Sequence, residues 1–153
     1  RYAVRTAVVR AVGGWPEDYM RWEDWGLGIK LLLLTDRIVW VQTPPLVNVY
    51  LHADSITGYR YVPNVPDILR AIAQAHEDVE RSDSAQKARL HYKQMVVAGL
   101  CRKEKSPLGT EIYRSTMETA GKDRTMRWFL PIVYRYVSWG GRGSAILANR
   151  LLR

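Results

Sequence analysis

The sequence predicts an α/β fold in its first part that passes into a mainly helical second part. Three observations carry this. Ile38-Val39-Trp40-Val41 is a β-branched and aromatic run between Asp36-Arg37 and Thr43-Pro44-Pro45, the composition of a buried strand. Leu46 to His52 alternates, with Val47, Val49 and Leu51 on one face and Asn48, Tyr50 and His52 on the other. Apolar residues recur at helical spacing from Trp22, and again beyond Pro63-Asn64-Val65-Pro66. Those prolines divide residues 1–62 from a helical extension, residues 63–153.

Within the first part, Tyr2-Ala3-Val4 reads as a short strand. Thr6 to Val12 reads as a short helix stopped by Gly13-Gly14, because glycine adopts the left-handed cap conformation at little cost. Trp15-Pro16-Glu17-Asp18 has turn composition. Trp22, Trp25, Ile29, Leu32 and Leu33 then predict a buried helix from Glu23 to about Thr35, with Gly26 and Gly28 inside it. Each glycine costs roughly 1 kcal/mol relative to alanine, which points to close backbone packing or a late helix start. Asp54 to Gly58 reads as a loop after the second strand.

The extension offers a helix from Asp67, a candidate N-cap, to about Arg81, with Ile68, Ala71, Ile72, Ala75 and Val79 as its stripe. Another is expected from Ser82 to about Lys103, apolar along Ala88, Tyr92, Met95, Val96, Gly99 and Leu100. Pro107 to Ala120 and Asp123 to Leu152 are further helical segments, the last interrupted at Pro131 and at Trp139-Gly140-Gly141-Arg142-Gly143.

With 153 residues, 47% hydrophobic and 25% charged, the chain has the material for one ordinary core, which excludes a disordered tail, a collagen-like fibre and a disulfide scaffold. Cys101 is a single cysteine and has no partner for an internal bridge, so a cytoplasmic location is expected. No stretch has the length and apolarity of a membrane span. The sequence opens at Arg1 rather than at a methionine, so a piece of a longer chain is expected. Twenty-three Lys and Arg against fifteen Asp and Glu give a net charge of +8, nearly all of it in residues 61–153. That excess admits anionic membrane, nucleic acid or phosphorylated ligands as partners.

Chemistry concentrates in three places: the turn Gly13-Gly14-Trp15, the acidic pair Glu23-Asp24 beside Trp22 at a helix start, and His52 at a strand end. A helix N-terminus favours negative charge, and successive helical residues differ by about 100° in direction, so the two carboxylates serve different tasks. Each feature also has an ordinary structural explanation. Acidic residues in a first turn are usually dipole partners, a Gly-Gly pair usually ends a helix, and a solitary histidine is usually a hydrogen-bonded surface group.

Taken together, the run from about Val4 to Ser55 resembles the C-terminal half of the catalytic domain of an inverting family 2 glycosyltransferase with the GT-A fold. The likeness rests on Gly13-Gly14-Trp15, on Glu23-Asp24 within Trp-Glu-Asp-Trp-Gly-Leu, and on strand, Pro44-Pro45 and a strand ending at His52 before Asp54-Ser55. The resemblance implies a partial GT-A, α/β fold and a reaction moving sugar from a nucleotide-sugar donor to a glycan or lipid-linked acceptor. It makes Asp24 the general base with Glu23 nearby shaping the acceptor site, and Gly13, Gly14, Trp15 and Trp22 substrate-binding residues, the glycine turn letting backbone approach the donor or the acceptor closely. It makes His52 a ligand to Mg²⁺ or Mn²⁺, or a contact to the donor diphosphate. The family's Asp-x-Asp motif and nucleotide-binding strands precede the acidic pair, and the first 22 residues here hold no Asp-x-Asp. The chain alone is therefore expected to be inactive.

The basic extension reads first as a solvated helical surface. Met126 to Trp139 also mixes aromatics with arginines in the manner of interfacial segments, which would place the protein peripherally at the inner face of a membrane. Nucleic-acid binding is disfavoured, since no helix-turn-helix, zinc finger or RNA-recognition motif is legible. The alternative to an enzyme is a basic helical module that binds an anionic membrane or nucleic acid.

Overall fold

A computed structural model describes residues 3–35, 61–80, 84–120 and 122–151, together with positions 37, 39 and 50. Among these residues the regular structure is helical: α1 (Thr6–Ala11), α2 (Glu23–Leu34), a 3₁₀ turn (Val62–Asn64), α3 (Val65–Asp78), α4 (Ser84–Lys103), α5 (Leu108–Ala120), α6 (Arg124–Ser138) and α7 (Ser144–Leu151).

The α/β expectation, and with it the partial GT-A fold, is corrected by this finding: the described residues contain no strand and no sheet. Ala3 and Val4 are exposed and irregular, and Tyr2, the other residue of that expected strand, lies outside the described residues. Val39, expected inside a buried strand, is 84% exposed and irregular. The remainder of the two strand segments, Ile38 to Val41 and Leu46 to His52, lies outside the described residues except for Tyr50, also exposed and irregular. β-branched and aromatic composition describes a residue that fits a half-buried pleated surface, and it has that meaning only where a partner strand exists.

α4 is the centre of the bundle and packs against α3, α5 and α6. Its sequence predicts one apolar stripe, but Leu90, Tyr92, Met95, Val97, Ala98 and Cys101 are buried on more than one side. That is the pattern of a helix surrounded by others. Met126, Phe129, Leu130, Val133 and Val137 of α6 close one side of the core. Fully burying a side chain such as Phe129 or Leu130 contributes on the order of 2–3 kcal/mol, so this seam is a principal source of stability. Two glycines let the helices approach. A Cβ at Gly99 would lie 2.8 Å from Val137 Cβ, and one at Gly109 would lie 2.7 Å from the Ala98 carbonyl oxygen. Any side chain at either position forces α6 or α5 away from α4.

Local chemistry fixes the helix ends. Gly13 (φ 86°) follows α1, its N–H bonds to Arg10 O, and the N–H of Gly14 reaches back to Val9 O, which is a Schellman motif. Gly140 repeats it after α6, and Lys105 repeats it after α4 with φ 59°. The Asp123 carboxylate caps α6 by accepting from Met126 N at 2.9 Å. α6 runs unbroken through Pro131, where an interruption was expected. Asp67, expected as the cap of α3, lies instead in its first turn, because the helix starts at Val65 with Pro66 where no N–H partner is required. Its carboxylate binds Arg70 at 3.2 Å and accepts from Met20 N at 3.4 Å. The cap role at this junction is filled from far away: Glu104, after α4, accepts from Tyr61 N at 2.6 Å and from Val62 N at 3.0 Å.

Among the described residues no helix is long and apolar enough to cross a membrane.

Candidate functional site

α1 stops at Gly13-Gly14 and the chain turns through Trp15-Pro16 towards the start of α2. This brings the Trp15 indole to Asp24, where Nε1–H donates to Oδ1 at 3.2 Å. The Gly-Gly-Trp turn and the acidic pair are thus one unit, tied by a hydrogen bond that orients the carboxylate. Trp15 is 51% exposed and Asp24 is exposed, so the pair faces solvent. Glu23 is half-buried and opens the helix.

Trp22 precedes α2 in the left-handed region, φ 64° and ψ 20°. A bulky residue there costs on the order of 1–3 kcal/mol and persists only where its surroundings hold it. Two contacts do so. Its ring meets Trp25 edge-on at 5.2 Å between centroids, and Lys93 Nζ of α4 lies 5.6 Å from the Trp22 centroid, within cation–π range. Burial holds the Lys93 pKa below its ordinary value. Gly26 receives Tyr19: a Cβ at Gly26 would collide with the Tyr19 hydroxyl. That ring is buried, and among the described residues its hydroxyl has no hydrogen-bond partner. Burial, and then the carboxylates of Asp78, Asp18 and Glu23, raise its pKa.

The expected buried stripe of α2 is also corrected. Gly26, Leu27 and Leu31 are its buried residues, Trp25 and Ile29 are partly buried against the core, and Leu32 and Leu33 are exposed; these last four line an open cavity of about 410 Å³ with, among others, Leu90 and Lys93 of α4 and Ala145 of α7. Leucine at 3.6-residue spacing marks a face that meets other apolar groups; it does not say whether the space is filled.

The structure therefore brings Gly13, Gly14, Trp15, Trp22, Glu23 and Asp24 into one locality. His52 lies outside the described residues, and among those described no group of three His, Cys, Asp or Glu is placed to hold a metal ion. Lys93, Tyr19 and the cavity were not found from the sequence. Lys93 sits between Tyr92 and Gln94 with no local mark of its place beside Trp22. Gly26 and Gly28 were the legible signals of close packing or a late helix start, and at Gly26 the side chain accommodated is Tyr19. No family model, curated protein or solved structure matches this chain.

Proposed function

We propose that the chain supplies the acceptor side of an inverting, family 2-like sugar transferase, with Asp24 as general base. The observation that carries this reading is the Trp15–Asp24 hydrogen bond, which joins the turn and the acidic pair on which the resemblance rests. The reading concerns the reaction and these residues, not the α/β architecture.

The chemistry needs a base. A sugar hydroxyl is a poor nucleophile, and a positioned carboxylate that takes its proton as the new bond forms contributes typically about 10²- to 10⁴-fold. The acceptor oxygen attacks the anomeric carbon from the face opposite the nucleotide, the bond to the diphosphate breaks, and configuration inverts. Asp24 takes the proton, and the indole of Trp15 keeps its carboxylate in one orientation. Exposed Trp15 offers an aromatic face to a sugar ring, and half-buried Trp22 and Glu23 border the same locality. The donor is a nucleotide-sugar and the acceptor a glycan or a lipid-linked glycan. A divalent cation, Mg²⁺ or Mn²⁺, would neutralise charge on the departing diphosphate, with His52 its assigned ligand.

Sugar transfer measured on the whole enzyme, including its donor-binding residues, tests this. Asp24→Asn is expected to lower kcat by about 10²- to 10⁴-fold with little change in KM for acceptor. Full turnover in Asp24→Asn removes the base assignment.

A further inference from the structure

α6 has two apolar faces. One, formed by Met126, Phe129, Leu130, Val133 and Val137, is buried in the core. The other is bare: Trp128 is 51% exposed, Ile132 48%, Tyr136 44% and Trp139 84%. Their spacing of four, four and three residues places them within about 80° of one another at 100° per residue, along about 17 Å of helix. Exposed Arg124 and Arg135 fall on the same face, and exposed Arg142 follows it. Tyr136 lies over Gly141, where a Cβ would collide with its ring, and donates its hydroxyl proton to Arg142 O at 2.6 Å, so this end of the stripe is held in place. Lys103 of α4 borders it, its Nζ 3.7 Å from where a Gly140 Cβ would stand.

Charge chooses the partner. From Arg124 to Arg153 the sequence has six arginines and no acidic residue, which is +6 of the chain's net +8. Trp and Tyr carry a polar N–H or O–H on an apolar ring and favour the headgroup boundary of a bilayer, where arginine pairs with lipid phosphate. A protein partner would need an acidic groove matched to three large aromatics. A lipid surface supplies apolar depth and distributed negative charge without such matching. We propose that the outer face of α6 docks the protein on an anionic membrane surface, with Trp128, Ile132 and Trp139 entering the headgroup–acyl boundary and Arg124, Arg135 and Arg142 binding lipid phosphates. This does not depend on the sugar-transfer reading, because it uses no residue of that site.

The test is co-sedimentation of the 153-residue chain with vesicles of phosphatidylcholine alone or with about 30 mol% phosphatidylserine, at about 0.1 M salt. Binding is expected only with phosphatidylserine. Trp128→Ser with Trp139→Ser should weaken it at least tenfold while the circular dichroism stays helical, since both side chains are exposed. Arg124→Gln and Arg135→Gln should each weaken it roughly fivefold. The proposal is overturned by no sedimentation with anionic vesicles, or by sedimentation indifferent to the tryptophan changes. It is equally overturned if the face serves another occupant, shown by a dimer that dissociates on Trp128→Ser or by duplex DNA protecting Trp128 in place of vesicles.

Discussion

Trp15 is a positioning residue in the sugar-transfer reading. It touches the carboxylate of Asp24 through a single N–H, and a phenyl ring keeps most of its bulk without that donor. Trp15→Phe in the whole enzyme should therefore lower kcat about tenfold and leave KM for acceptor nearly unchanged. The informative comparison is the double variant. If the indole acts only by orienting Asp24, Trp15→Phe adds nothing once Asp24→Asn is present, and additive losses would show that Trp15 contributes separately. At this scale the sequence was legible to the degree that its signals were local. Gly13-Gly14 announced a turn and Glu23-Asp24 a helix start, and both are where expected. Lys93 was illegible because its contact with Trp22 is made by the packing of α4, and nothing adjacent to it in sequence encodes that.

Among the elements, the three Schellman ends offer an internal comparison. Gly13 and Gly140 occupy the left-handed position with φ 86° each, while Lys105 occupies it with φ 59° and carries a Cβ that makes this conformation costly. Lys105→Gly is predicted to stabilise the fold by about 1 kcal/mol, read as a rise of roughly 2–4 °C in Tm. Helix existence was legible from the 3.6-residue period in α2, α3 and α4, and α5 and α6 were legible as helical segments between breakers. Burial was less so. The stripe assigned to α4 lies in the core but is incomplete, because a central helix also buries Leu90, Val97, Ala98 and Cys101, and that of α2 holds at Trp22, Trp25 and Ile29 but not at Leu32 and Leu33, which stand exposed beside a cavity. Pro131 is tolerated within α6 because removing one N–H leaves the rest of the hydrogen-bonded ladder and the packing against α4 intact.

For the whole molecule, the seam between α3 and α4 makes stability depend on pH. His76 Nε2 and His91 Nδ1 approach Gln94 Oε1 at 3.3 and 3.2 Å, and their rings lie 5.0 Å apart. An amide oxygen only accepts, so each ring donates one N–H. Burial lowers both pKa values; for His76 the neighbouring His91 lowers it further, and the Gln94 bond opposes this in both. A histidine whose folded pKa is depressed takes up protons more readily when unfolded. Stability is thus full above about pH 6.5 and is lost as the pH falls from there through the folded-state values. Urea unfolding at pH 7.5 and at pH 5.5 should show the lower stability at pH 5.5, and the double change His76→Gln, His91→Gln should flatten that difference. An unaltered slope in the double variant would place its origin elsewhere. The α/β class was the largest misreading at this scale. It rested on composition in segments whose described positions, Val39 and Tyr50, stand exposed, and composition alone supplies no neighbouring strand.

The clasp made by Glu104 also bears on the order in which the molecule forms. One carboxylate holds amides 43 and 42 residues earlier in the chain, so it closes a long loop and gains nothing until both ends are in place. The end of α4 has to exist before it can receive Tyr61 and Val62, whereas α5 and α6 follow α4 through short connections and meet it by nearby contacts. Helices α4 to α6 are thus suited to form a nucleus, onto which the 3₁₀ turn and α3 lock afterwards as a latch.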